Sequence, residues 1–234
     1  GPAFAFVYTV LAIPIARYAD RNNRVKIICT GAVLWSFFTV SSGLATTPET
    51  FALSRLGVGV GEAAFLAPAF SLLSDYFPAR QRALAFAVLN FGVYLGQIVG
   101  LVGGAAIADA YDWRMAFFIL GAPGIGFALL TYMTVKEPKR GRLDDDYDPE
   151  ADTEVLSLAQ VASLLYGCKS YIYLTLGSIC GGFAGYGFGV WAPTLFVRAF
   201  DLSLTEANTR YGAPSVIAGI IGAVLLGVLA DRLS

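Results

Sequence analysis

Apolar residues in this chain gather in long runs that polar residues scarcely interrupt. The runs cover about 2–18, 27–46, 50–76, 84–108, 115–135, 170–197 and 207–230. A bilayer core asks for about 20 mostly apolar residues per helix, with a range of about 17–25. The pattern therefore predicts seven membrane-spanning helices joined by mostly short, charged connections. Pro14 and Pro68 fall inside spans, which membrane helices tolerate.

The polar connections carry their own pattern. Basic residues gather in alternate connections, as the positive-inside rule requires. One set holds Arg17, Arg21, Arg24, Lys26, Arg80, Arg82, Lys136, Lys139, Arg140, Arg142, Lys169 and Arg232, against Arg114, Arg198 and Arg210 in the other. The first set is read as cytoplasmic. It contains two copies of a small-x-x-Ala-Asp-Arg motif, ending at Asp20-Arg21 and Asp231-Arg232, with the aspartates 211 positions apart. Such a repeat in a membrane chain implies two similar bundles facing each other across a substrate path. For the two motifs to be equivalent, one helix is expected before residue 1 and several after Ser234, so the chain reads as part of a larger carrier. The expected division is an N-terminal bundle over 1–135, a cytoplasmic linker over 136–169, and the start of a C-terminal bundle over 170–234.

The linker opens with a basic cluster and continues through an acidic run, Asp144, Asp145, Asp146, Asp148, Glu150, Asp152 and Glu154. Such runs are solvated. Ser157-Leu158-Ala159-Gln160 then offers a capping box. Leu158, Val161, Ala162, Leu165 and Cys168 share one helical face, predicting a short amphipathic helix on the cytoplasmic surface.

Composition agrees with membrane residence and removes other classes. Hydrophobic residues make up 56% and charged residues 14% of the chain, against roughly 25% charged in soluble domains; mean hydropathy is +0.64. A net charge of −1 gives no footprint for nucleic acid. There is no histidine, which excludes histidine acid–base chemistry and histidine metal sites. Cys29, Cys168 and Cys180 lack metal-ligand spacing and are read as buried small apolar residues. No cofactor is expected. An intramembrane enzyme would need a nucleophile–base pair or metal ligands within the spans, and none is visible, so no enzymatic activity is expected. A seven-helix receptor would not need the repeated motif.

Arg55 and Glu62 are the charges placed well inside a span. Each costs about 2.5–3.5 kcal/mol on insertion scales. Seven residues apart, they project on one face about 10 Å apart along the axis, with Gly59 between them. Gly57, Gly61 and Ala64 form a small-residue stripe suited to close packing. The charged face is expected to look into a central cavity, Arg55 attracting an anionic head group and Glu62 titrating or pairing with it; the alternative is a static pair that locks helices. In the next span Gly92, Gly96 and Gly100 form a ridge for helix contact, while Asn90, Tyr94 and Gln97 lie opposite and are candidate cavity residues. Five glycines among Gly181–Gly189 weaken a later helix, each by about 1 kcal/mol against alanine. Gly185 and Gly187 are candidate gate positions there, with Tyr186 and Trp191 as substrate contacts; for Trp191 the alternative is an interfacial aromatic belt. Asp20, Arg21, Arg24, Asp75, Arg82, Asp231 and Arg232 are candidate switch charges on the cytoplasmic side.

These residues resemble the major facilitator superfamily. Asp20-Arg21-Asn22-Asn23-Arg24-Val25-Lys26 is similar to its loop motif between the second and third helices, with Ala16 and Asn23 standing where glycines are usual. Arg55 matches the arginine of its fourth helix. The stretch Arg55 to Ala64, with Tyr8, Pro14 and Trp191-Ala192-Pro193, is similar to the spinster-like branch. The resemblance implies an all-α rocker-switch fold, with this chain as helices two to eight of twelve. It further implies a monomeric secondary carrier in a bacterial-type inner (plasma) membrane. Its cargo would be an amphiphilic anion of the lysophospholipid or sphingosine-1-phosphate type, moved by alternating access and coupled to protons. In that branch an acidic residue of the first helix joins the Arg–Glu pair. The alternative cargo is a small organic anion or a drug-like molecule. The implied partners are that substrate, protons and membrane lipids.

Overall fold

The computed structural model describes residues 2–143 and 157–233, apart from the side chains of 2, 3, 158, 204, 213 and 223–233. The acidic run from Asp144 to Glu154 lies outside the described residues, as do the Asp231 and Arg232 side chains. Among the described residues there are α-helices, one π-helical turn and no strand.

Helix α1 spans Pro2–Ala19 and α2 spans Arg24–Gly43. Asn23 starts α2, its Oδ1 accepting from the Lys26 N–H at 2.8 Å. That is the work of an N-cap asparagine. Helix α3, Pro48–Glu62, opens on a Thr47–Thr50 capping box with proline at its first position, a placement proline favours. Helix α4 spans Leu66–Tyr76. The expected single span over 50–76 is thus interrupted at residues 63–65. Pro68 supplies the reason: it has no N–H to give the Ala64 carbonyl, and its ring crowds that carbonyl.

Helix α5, Ala79–Ile98, passes through a π-helical turn over Val99–Gly103 into α6, Gly104–Ala110. Helix α7, Trp113–Thr134, is capped by Asp112. Helix α8, Leu158–Gly167, carries the expected capping box: Gln160 Oε1 accepts from the Ser157 N–H at 2.7 Å, and Ser157 Oγ accepts from the Gln160 N–H at 3.3 Å. Helices α9, Lys169–Phe200, and α10, Leu204–Leu233, follow.

Among the described residues, four stretches are long and apolar enough to cross a membrane: Arg24–Gly43, Pro48–Tyr76, Ala79–Ala110 and Trp113–Thr134, with Phe4–Ala19 apolar but shorter. Helix α9 has the length, at 32 residues, but its glycines and tyrosines dilute its hydropathy.

Helix α2 packs against both α3 and α7. A Cβ on Gly61 would lie 2.6 Å from the Gly31 carbonyl oxygen, and one on Gly31 would lie 2.7 Å from the Ala64 Cβ. The Gly57 Cα faces the Phe38 ring in the same way. The small-residue stripe of α3 therefore does what its spacing predicts. Gly121 and Gly124 bring α7 onto Thr39 and Ser36 of α2. Two sequence expectations are corrected. Among the described residues the ridge of Gly92, Gly96 and Gly100 meets nothing within 4 Å; contact is made instead on other positions, with Tyr94 on Gly219 and Leu101 on Gly212 of α10. Cys29 is buried as expected, but Cys168, at the junction of α8 and α9, and Cys180, on an uncovered face of α9, are exposed.

The chain forms two compact units, Gly1–Tyr147 with Asn208–Ser234, and Asp148–Ala207. The first holds α1 to α7 and most of α10; the second holds α8 and α9.

Candidate functional site

The charged face of α3 begins with Arg55, which is half-buried. Its guanidinium carbon lies 5.7 Å from the centroid of the Phe4 ring, within the range of a cation–π contact. Phe4 in turn stacks on Tyr8, with centroids 6.1 Å apart. A Cβ on Gly59 would sit 3.1 Å from the Phe4 carbonyl oxygen and 3.2 Å from its ring. Gly59 therefore lets the first turn of α1 settle beside Arg55. The sequence pattern did not single out Phe4; the missing signal is the pairing of an aromatic on one helix with a glycine on another.

Glu62 is the middle residue of the 29-residue stretch Pro48–Tyr76 and is exposed. The helix breaks directly after it, with tight turns from the Ala64 N–H to the Gly61 carbonyl at 3.2 Å and from the Phe65 N–H to the Glu62 carbonyl at 3.1 Å. Irregular backbone at membrane depth is tolerated where it is buried in protein or lines a cavity, and discontinuous helices build the midplane sites of carriers. Arg55 and Glu62 form no direct ion pair among the described residues. The face thus presents a cation and a carboxylate that are not in direct contact.

The other expected contacts are dispersed. Asn90 is exposed, its Nδ2 donating to the Phe86 carbonyl of its own helix at 2.9 Å. Tyr94 lies against Gly219, and Gln97 is exposed. On α9, Tyr186 and Trp191 are exposed, and the helix runs unbroken through Gly185 and Gly187.

The basic end of the first unit holds a second constellation. Arg24 opens α2 and is buried to 1% exposure. Its Nη1 donates to Asp75 Oδ2 and to Ser71 Oγ at 2.8 Å, and its Nε donates to Glu137 Oε1 at 2.7 Å. Glu137 Oε2 accepts from the Val25 N–H at 3.1 Å. Asp75 Oδ1 accepts from the Gly141 N–H at 2.8 Å. Gly141 has φ 65°, a left-handed conformation that glycine adopts without strain. Arg140 Nη2 donates to the carbonyls of Ala19 and Asn22, and Arg142 Nε to that of Asp75. Arg82 Nε donates to the carbonyls of Ser74 and Phe77. Cations at these positions satisfy carbonyls left open where α1 and α4 end.

Of the expected switch charges, Arg24 and Asp75 meet directly, Arg82 holds the carbonyls of Ser74 and Phe77, and Asp20 and Arg21 are exposed. Ser71, Glu137, Arg140, Gly141 and Arg142 were not foreseen. The available signal was an acid, Glu137, just past the end of a span whose partner end begins with a buried arginine. Among the described residues no cluster fits a metal ion.

Residues 2–234 match the Major Facilitator Superfamily. The chain is 30% identical over 234 residues to an MFS-type efflux pump of Mycolicibacterium smegmatis, covering 100% of this chain and 53% of that protein. It is 28% identical over 239 residues to the sphingosine-1-phosphate transporter SPNS2 of Danio rerio, covering 96% and 47%. Its fold is similar, with a TM-score of 0.79 and 33% identity, to the crystal structure of a bacterial homolog to the human lysosomal transporter spinster in an inward-facing, unoccupied conformation, covering 100% of this chain and 54% of that one. The chain therefore spans about half the length of the relatives it matches. On its sequence and its all-helical fold, the chain belongs to the Major Facilitator Superfamily and is similar to its spinster-type members.

Proposed function

We propose that the whole protein is a proton-coupled secondary carrier that moves an amphiphilic anion, of the lysophospholipid or sphingolipid-phosphate type, by alternating access. The carrying observation is the α3 face: a half-buried Arg55 beside Phe4, with Glu62 at mid-span next to a helix break. Arg55 attracts the anionic head group, Phe4 and Tyr8 offer apolar contact, and Glu62 exchanges the proton. The Arg24–Asp75–Glu137 group keeps the basic ends of α2 and α4 and the segment after α7 together while the bundles rock. Gly185 and Gly187 serve as the soft point of α9, with Tyr186 and Trp191 lining the path. Two further features support a lipid-like cargo: the similarity to a sphingosine-1-phosphate transporter and the aromatic-rich α9.

A second reading, export of a drug-like molecule, is favoured by the similarity to an efflux pump. Competition separates the two. Full-length protein in liposomes is loaded with a fluorescent lysophospholipid and challenged with unlabelled lysophospholipid, a small organic acid or a cationic dye. Competition by lipid alone, lost in Arg55→Ala, supports the lipid carrier. Competition by the dye alone sinks it.

A further inference from the structure

Arg55, Gly59 and Glu62 stand at i, i+4 and i+7 along α3, so one face carries a cation, a bare position and a carboxylate in turn. The bare position is filled from α1. A Cβ on Gly59 would lie 3.1 Å from the Phe4 carbonyl oxygen and 3.2 Å from the Phe4 ring. Phe4 and Tyr8, four apart on α1, stack with ring planes 18° apart, and the Arg55 guanidinium carbon lies over the Phe4 ring. Two helices thus bring together a cation, the ring that covers it and the glycine that admits the ring.

Among the described residues Arg55 makes no hydrogen bond and no ion pair. A ring face attracts the charge electrostatically, so this contact leaves the N–H donors unspent. Those five donors form a rigid fork that matches phosphate and carboxylate. Ordering a long side chain when a ligand arrives weakens affinity, and ordering it beforehand recovers that affinity. Arg24 is ordered by carboxylates, which take its Nε and Nη1 donors. Phe4 orders Arg55 without taking any.

Taking Arg55 as the anion site of the carrier, we infer that Phe4 is its positioning residue. The ring holds the guanidinium in place for a cargo head group with two acceptor oxygens, a phosphate or a carboxylate. The centroid distance of 5.7 Å is close to the limit of about 6 Å for such a contact. A Cβ on Gly59, which would push Phe4 back by a few tenths of an ångström, is therefore enough to weaken it. Loss of the contact at a half-buried arginine corresponds to about a fivefold change in an equilibrium constant.

The test uses the full-length protein and two readouts. The first is denaturant unfolding in one detergent, as a double-mutant cycle between Phe4→Leu and Arg55→Gln, which needs no cargo. A coupling of about fivefold in the unfolding constant is expected, and additive effects would overturn the contact. The second is uptake of a fluorescent lysophospholipid in liposomes. Phe4→Leu is expected to raise KM about fivefold, with the effect on KM rather than kcat. Gly59→Ala should raise KM in the same direction and add little to Phe4→Leu. Phe4→Tyr, which keeps the ring, should recover most of the affinity. A KM unchanged in Phe4→Leu, or a loss confined to kcat, would overturn the positioning role. Coupling in the cycle beside a wild type that moves no lysophospholipid would overturn the lipid cargo and keep the contact; the small organic acid then replaces the lipid in the KM comparison.

Discussion

Replacing Asp75 by alanine tests the buried ion group most sharply. Arg24 is 1% exposed, and its charge is balanced by two carboxylates, Asp75 at 8% exposure and Glu137 at 21%. At an effective dielectric of about 20, unit charges about 4 Å apart attract by about 4 kcal/mol. Asp75→Ala removes one of the two attractions. It also leaves the Gly141 N–H without its acceptor, while Arg24 stays where water scarcely reaches. Breaking a buried pair from one side costs about 3–5 kcal/mol, and we expect a loss in that range. Glu137→Ala should cost less, about 1.5–3 kcal/mol for a hydrogen bond to a charged group, because water can replace a carboxylate that is one-fifth exposed. Asp20→Ala is the control: Asp20 is exposed, and surface changes stay within about 0.5 kcal/mol. Denaturant unfolding of the full-length protein in one detergent, read by intrinsic fluorescence, gives the three values. An Asp75→Ala loss no larger than that of Asp20→Ala would refute the reasoning.

Three further outcomes follow from the packing. Gly61→Ala places a Cβ 2.5 Å from the Trp35 amide nitrogen and 2.6 Å from the Gly31 carbonyl oxygen; backbone cannot yield, so a loss of about 1–3 kcal/mol is expected in the same unfolding assay. Gly96→Ala meets nothing within 4 Å among the described residues and should be neutral or stabilising by up to about 1 kcal/mol, the helix-propensity difference. Ser157→Ala removes the cap of α8, at about 1 kcal/mol, and should speed amide exchange across Leu158–Gly167 several-fold without changing exchange in α2.

The spans and their packing were legible because their signals are local. Runs of apolar residues, the Ser157–Gln160 box and the Gly57–Gly61–Ala64 stripe each encode their structure within a few turns. Arg55 and Glu62 stood out because charge inside an apolar run is costly. What escaped depends on distant pairing. Glu137 reaches Arg24 across 113 positions and Gly141 reaches Asp75 across 66, and no periodicity reports such contacts. The break after Glu62 was half-visible: Pro68 was noted, but its consequence falls four residues upstream at Ala64. The Gly92–Gly100 ridge has no partner among the described residues, since glycine spacing permits close contact without specifying what fills it. Here α10 meets Tyr94 of α5 and Leu101 of the π-helical turn instead.

The most direct measurement is lysophospholipid uptake by the full-length protein in liposomes, with and without an imposed proton gradient, comparing wild type with Glu62→Gln and Asp20→Asn. Uptake that the gradient accelerates in wild type and in Asp20→Asn, but not in Glu62→Gln, is the predicted result. It would place the proton at the mid-span carboxylate beside the α3 break. Gradient-driven uptake in Glu62→Gln equal to wild type would contradict it, and Glu62 would then be a structural residue of that break.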